Sequence, residues 1–174
     1  TPQQLGSLIK SARDIMRKDK GLNGDLDRLP MLTWLLFLKF LDDDERERET
    51  EAIVSGQMFF PAIAEPYRWR DWAAKDDGMT GEQLIAFINN DEALRPDNTR
   101  GEGLFTYLRG HGTGLAGDRR DVIAAVFRGI ANRMLNGFLL RELINRINAI
   151  SFTSSDEIHT LGHLYETCLL YTSP

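Results

Sequence analysis

The stretch LPMLTWLLFLKFL, residues 29–41, decides how this chain is read: its only charge is Lys39. It is far shorter than the ~20 apolar residues that cross a bilayer. No basic segment adjoins it and no small-residue cleavage site follows, so it is not a secretory signal. It reads as the buried central helix of one domain. A chain of 174 residues is long enough for such a core, since a domain of this size buries roughly two thirds of its unfolded surface. The single cysteine, Cys168, forms no intrachain disulfide and no four-cysteine zinc site, which points to a reducing cytoplasmic compartment.

C-terminal to the apolar stretch lies DDDERERETE, residues 42–51, which by itself carries the whole formal net charge of −5. The remaining acids and bases balance, leaving room for a local basic face. N-terminal to the apolar stretch, Leu5, Leu8, Ile9, Ala12, Ile15 and Met16 recur at steps of three and four, which predicts an amphipathic helix over 3–20. Lys10, Arg13, Arg17 and Lys20 make a basic stripe along it. GLNGD, 21–25, reads as a turn, with Asp27 as the cap of the next helix and Pro30 in its first turn.

Between residues 55 and 80 the helical period fails, but Phe59, Phe60, Tyr67, Trp69 and Trp72 anchor the segment as a long ordered loop. Thr80 with Gln83 reads as a capping box, and Met79 with Leu84 as its staple, for a helix to about Asn90. The glycines of 101–117 surround LFTYL and suggest a mobile loop. From Asp118 a helix is expected up to a stop at Asn136-Gly137, then another through Leu139–Ile147, and a last one opened by the capping box Ser154–Glu157. The fold class is all-α, a bundle-like domain of about six helices with at most a short hairpin in the middle.

Few constellations suggest chemistry. GHGTG, 110–114, lacks the Lys-Ser/Thr of a phosphate loop and reads as a connector. His159, His163 and Glu166 share a helical face, but Thr160 stands where a zinc protease needs Glu, so no metal site is assigned. No nucleophile elbow and no catalytic residue can be named. YRWRDW, 67–72, interleaves Arg68 and Arg70 with three aromatics. Two readings stand: a nucleic-acid contact in which arginines hold phosphates and aromatics stack on bases, or a loop anchor whose arginines pair with nearby acids. The basic stripe is either a DNA-facing strip or an ordinary solvated face.

Four blocks then carry a resemblance: TPQQLGSLIKSARDIMRKDKGLNGDLDRLPMLTWLLFLKFLDD (1–43), PYRWRDWA (66–73), DRRDVIAAVFRGIANRMLNGFLLRELINRINAISF (118–152) and DEIHTLGHLYE (156–166). In order and spacing the chain resembles the N-terminal region of the modification (DNA methyltransferase) subunit of type I restriction-modification systems. The resemblance implies a helical domain, residues 1–153, then a linking helix, 154–167, toward an α/β domain that uses S-adenosylmethionine to methylate N6 of adenine. It implies as partners a specificity subunit, a second methyltransferase subunit, a restriction subunit and double-stranded DNA, with no membrane. The nucleic-acid-binding candidates under it are Lys10, Arg13, Arg17, Lys20, Arg68 and Arg70. No two of the six prolines are adjacent, so the Asn-Pro-Pro-aromatic motif that holds a flipped adenine is impossible here. The Gly-rich cofactor loop is also missing, so this chain is expected to bind no cofactor and to be inactive alone. The tail CLLYTSP, 168–174, departs from the family pattern and is read as a non-native continuation. With Thr1 in place of Met, the chain reads as a fragment. The rival reading is a stand-alone helical protein-interaction module whose docking face is the acidic run.

Overall fold

A computed structural model describes residues 2–114 and 118–150. They form seven helices and one hairpin: α1 (Pro2–Met16), α2 (Asp25–Ser55), α3 (Trp69–Trp72), α4 (Gly81–Asn89), β1 (Glu92–Leu94), β2 (Arg100–Glu102), α5 (Leu104–Arg109), α6 (Arg119–Arg128) and α7 (Gly137–Asn148). The all-α class and the minor hairpin agree with the sequence reading. The expected helix at 154–167, His159, His163, Glu166 and the 168–174 tail lie outside the described residues.

α2 is the axis. At 1.5 Å per residue its 31 residues span about 46 Å, and from Met31 to Leu41 it is wrapped by the rest of the chain, with only Phe37 and Phe40 partly open. Trp34 meets Phe105 of α5 edge-on at 4.9 Å, and Phe105 meets Phe127 of α6 at 5.2 Å. These aromatics close one side of α2. α1 packs chiefly on α7, and α7 also backs α4 and α2. The helix ends in Gly56 at φ 69°, and the Gln57 N–H donates to the Ala52 carbonyl at 2.8 Å. This left-handed closure needs no Cβ and stops the helix cleanly.

Several local expectations change. α1 ends at Met16, so Lys20 leaves the helix. Gly24, not Asp27, caps α2; Asp27 sits in its first turn and accepts from the Asn23 N–H at 2.8 Å. Pro30 lies deeper than the first turn, tolerated because Leu26, whose carbonyl loses its donor, is solvent-exposed. The Thr80 capping box does not form: its hydroxyl donates instead to the Gly137 carbonyl at 3.4 Å. LFTYL is not loop but α5, because Leu104, Phe105 and Leu108 fall on one face and are buried. α6 stops at Arg128, well before Asn136-Gly137. There the Arg109 guanidinium donates to the Phe127 and Ile130 carbonyls at 2.9 and 2.7 Å, replacing the donors of a further turn. Asn136 opens α7 instead of ending α6, accepting from the Phe138 and Leu139 N–H groups. Val122, expected on the inner face, is exposed.

Candidate partner and nucleic-acid interface

The acidic run is not a bare face. It lies in the second half of α2, and Asp42 and Glu45 are buried. Asp42 accepts from Arg70 at 2.9 Å, Asp44 from Arg119 at 3.0 Å and from Arg48 at 2.9 Å, and Lys39 pairs with Asp43 at 2.7 Å. Glu45 accepts the Ala62 N–H at 2.6 Å, with Arg119 at 3.8 Å. Burial pushes the Glu45 carboxyl above its ordinary range, against the lowering pull of that N–H and of Arg119. The run is therefore a clasp that ties α2 to the 60–72 segment and to the start of α6. Glu47, Thr50 and Glu51 stay exposed at its outer side.

Arg68 and Arg70 belong to the same clasp. The Arg68 guanidinium bonds both Asp71 oxygens at 3.0 Å and Glu65 at 2.7 Å, and Arg70 adds Glu49 at 3.7 Å to its Asp42 bond. Tyr67, Trp69 and Trp72 are buried: Tyr67 stacks on Tyr107 at 3.9 Å, its hydroxyl donates to the Glu102 carbonyl at 2.8 Å, and Trp69 Nε1 donates to Asn148 at 2.9 Å. None of the three rings presents a free face for a base. Here the structure has the arrangement of the loop-anchor reading.

The basic stripe differs. Lys10 and Arg17 are exposed; Arg13 is half-buried and turns toward Asp25 at 3.7 Å. Arg17 has only a loose contact with Asp14 at 3.9 Å. Past the helix, Lys18 and Lys20 are exposed on either side of buried Asp19.

Asp19 is the residue that sequence reasoning passed over. Its carboxylate accepts from the N–H groups of Gly21 at 2.8 Å, Leu135 at 3.1 Å and Asn136 at 2.9 Å. It thus pins the α1–α2 turn to the start of α7. The only signal in the sequence was an acid alternating with lysines in KDK, which reads equally as a solvated turn. Arg141 was missed too: buried on α7, it donates to the carbonyls of Ala73, of Trp72 at 3.2 Å and of Met79 at 3.4 Å. Burial lowers its pKa. It fixes the chain that leads into α4.

Besides Leu26 and Val122, large apolar side chains stand in solvent at the tip of α2 with the following loop (Ile53, Val54, Met58, Phe60) and at the pair Leu135 and Phe138. GHGTG is tied down by its neighbours: a His111 ring nitrogen bonds the Ala62 carbonyl, and Asp121 accepts from Thr113 and Gly114 at 2.7 and 2.9 Å. Among the described residues no group of histidine, cysteine and acidic side chains could hold a metal ion, and no helix is long and apolar enough to cross a membrane.

The chain is similar to known proteins over nearly its full length. It is 42% identical over 166 residues to the type I restriction enzyme EcoEI methylase subunit of Escherichia coli, covering 95% of this chain and 31% of that protein. It matches the crystal structure of a modification subunit of the type I restriction class from Vibrio vulnificus YJ016 at 66% identity and a TM-score of 0.90, covering 99% of this chain and 36% of that one. A structure from work on complex assembly and conformational transition of the type I restriction-modification system matches at 33% identity and a TM-score of 0.67, over 97% of this chain and 30% of that one. The chain thus spans about a third of the length of the proteins it matches. Residues 5–147 match the HsdM N-terminal domain, and the chain belongs to that family, the N-terminal domain of type I modification subunits.

Proposed function

We propose that this domain serves assembly: it packs against the partner subunits of a type I restriction-modification enzyme and helps close the complex around double-stranded DNA. The partners in this reading are a specificity subunit, a second modification subunit and a restriction subunit. Methyl transfer from S-adenosylmethionine to adenine N6 then falls to sequence beyond this chain. One observation carries the reading: the same helical body recurs at a TM-score of 0.90 as about a third (36%) of a modification subunit, while this stretch has no adjacent prolines for an adenine pocket. The exposed apolar groups at the α2 tip and at Leu135 and Phe138 are the kind of surface that subunit contacts cover.

For DNA, the exposed or loosely paired cations of the first helix are the better candidates. Lys10 and Arg17, with Arg13 beside them, present the α1 stripe outward, whereas Arg68 and Arg70 already serve carboxylates of the same chain. A pull-down of the specificity subunit with the full-length modification subunit tests the assembly role. Retention of the partner is expected with the domain present and loss with residues 1–150 deleted. Full retention without the domain would contradict the proposal.

A further inference from the structure

Resting on the assembly reading above, we infer that the groove bounded by α4, the start of α7 and the Lys18–Lys20 turn is a docking site. Its occupant is a segment of a partner subunit that carries a large apolar side chain with carboxylates within one helical turn of it. The groove encloses about 590 Å³, room for a few side chains. Ile85, Ala86, Leu135 and Phe138 line it with apolar surface, and Lys18, Lys20 and Glu82 are the charged residues that line it. Leu135 and Phe138 are each 69% exposed, an arrangement that is costly to leave in water.

These groups are held in place. Asp19 turns inward to bond the Leu135 and Asn136 N–H groups, so its neighbours Lys18 and Lys20 point outward. α7 begins pressed against α4: a Cβ on Gly137 would meet the Gly81 carbonyl oxygen at 1.9 Å, and one on Gly81 would meet the Phe138 ring at 3.1 Å. The ring therefore lies over the first turn of α4.

Charge identifies the occupant. Neither Lys18 nor Lys20 has a carboxylate partner among the described residues, while most cations elsewhere do. Gly81 and Glu82, at the N-terminus of α4, line the groove, and α4 has no side-chain cap, whereas Asn136 caps α7. The groove is thus electropositive and lined with apolar surface. A phosphate backbone would answer the lysines and leave Leu135, Phe138 and Ile85 wet. A protein segment answers both, its apolar side chain against Ile85, Leu135 and Phe138 and its carboxylates on Lys18 and Lys20.

The test uses the full-length subunit in its assembled complex. With Phe138→benzoylphenylalanine, irradiation is expected to join position 138 to one segment of a partner subunit that bears an apolar residue beside at least two carboxylates. Lys18→Glu with Lys20→Glu is expected to weaken that partner's binding about tenfold without moving the melting temperature of the subunit. Carboxylate-to-lysine changes in the mapped segment should restore it. Crosslinks to DNA, no crosslink, or unchanged affinity of the charge-reversed protein would each overturn the docking site while leaving the assembly role standing. If the unaltered subunit recruits no partner, the assembly reading fails and the docking site falls with it.

Discussion

Arg70 and Lys20 are both cations that a sequence offers to a phosphate, yet the fold puts them to opposite uses. Arg70 is drawn between α2 and α3 to Asp42 and Glu49. Lys20 stands in solvent because its neighbour Asp19 has turned inward. The two regions show that the availability of a charge depends on whether a carboxylate is folded within reach. The 67–72 segment is an internal fastener, and the lysines around Asp19 with Lys10 and Arg17 form the outward basic surface.

The sharpest way to break this contrast is at Asp19. Asp19→Ala leaves three backbone N–H groups without their acceptor and is expected to cost about 3 kcal/mol or more. Lys18→Ala and Lys20→Ala should leave the chemical-denaturation midpoint where it is. Equal effects of all three would mean that the turn is not pinned as described. Next in size is Asp42→Ala, which strips the buried partner from Arg70 and should cost about 2–3 kcal/mol in urea unfolding. A loss no greater than that of a surface acid would make the clasp decorative.

Asn136→Ala removes the two N–H bonds that open α7 and is expected to cost about 1 kcal/mol. The smallest effect is a pH dependence. Because the Glu45 carboxyl is raised in the folded state, the folded chain holds that proton more tightly than the unfolded one. Stability is then lost as pH rises through the carboxylate range. The melting temperature of Glu45→Gln relative to the parent should climb between about pH 4 and pH 7; a flat difference would show that Arg119 and the Ala62 N–H balance the burial, and a falling one that they outweigh it.

How much of this was legible can be seen residue by residue. The 29–41 stretch announced its burial because nothing but Lys39 interrupts it, and the 67–72 aromatics announced an anchored segment. What composition could not convey was where helices stop. α6 ends because the Arg109 side chain, from a different helix, takes over the carbonyls at its end, a long-range contact with no local signature. LFTYL looked like loop because its flanking glycines outweighed a periodicity only six residues long (α5), although three of those residues complete the core. The inward turn of Asp19 is likewise set by backbone groups more than 100 positions away. The spacing of cations indicated candidates for the interface, but their partners in the fold decide which remain free.

The most direct test of the central claim, that the outward α1 cations and not the 67–72 arginines face DNA, is the salt dependence of DNA affinity in the assembled enzyme. Lys10→Gln, Arg13→Gln and Arg17→Gln together are expected to weaken binding at all sequences and to flatten the slope of log K against log salt by about 3. A slope identical to that of the unaltered complex would contradict it.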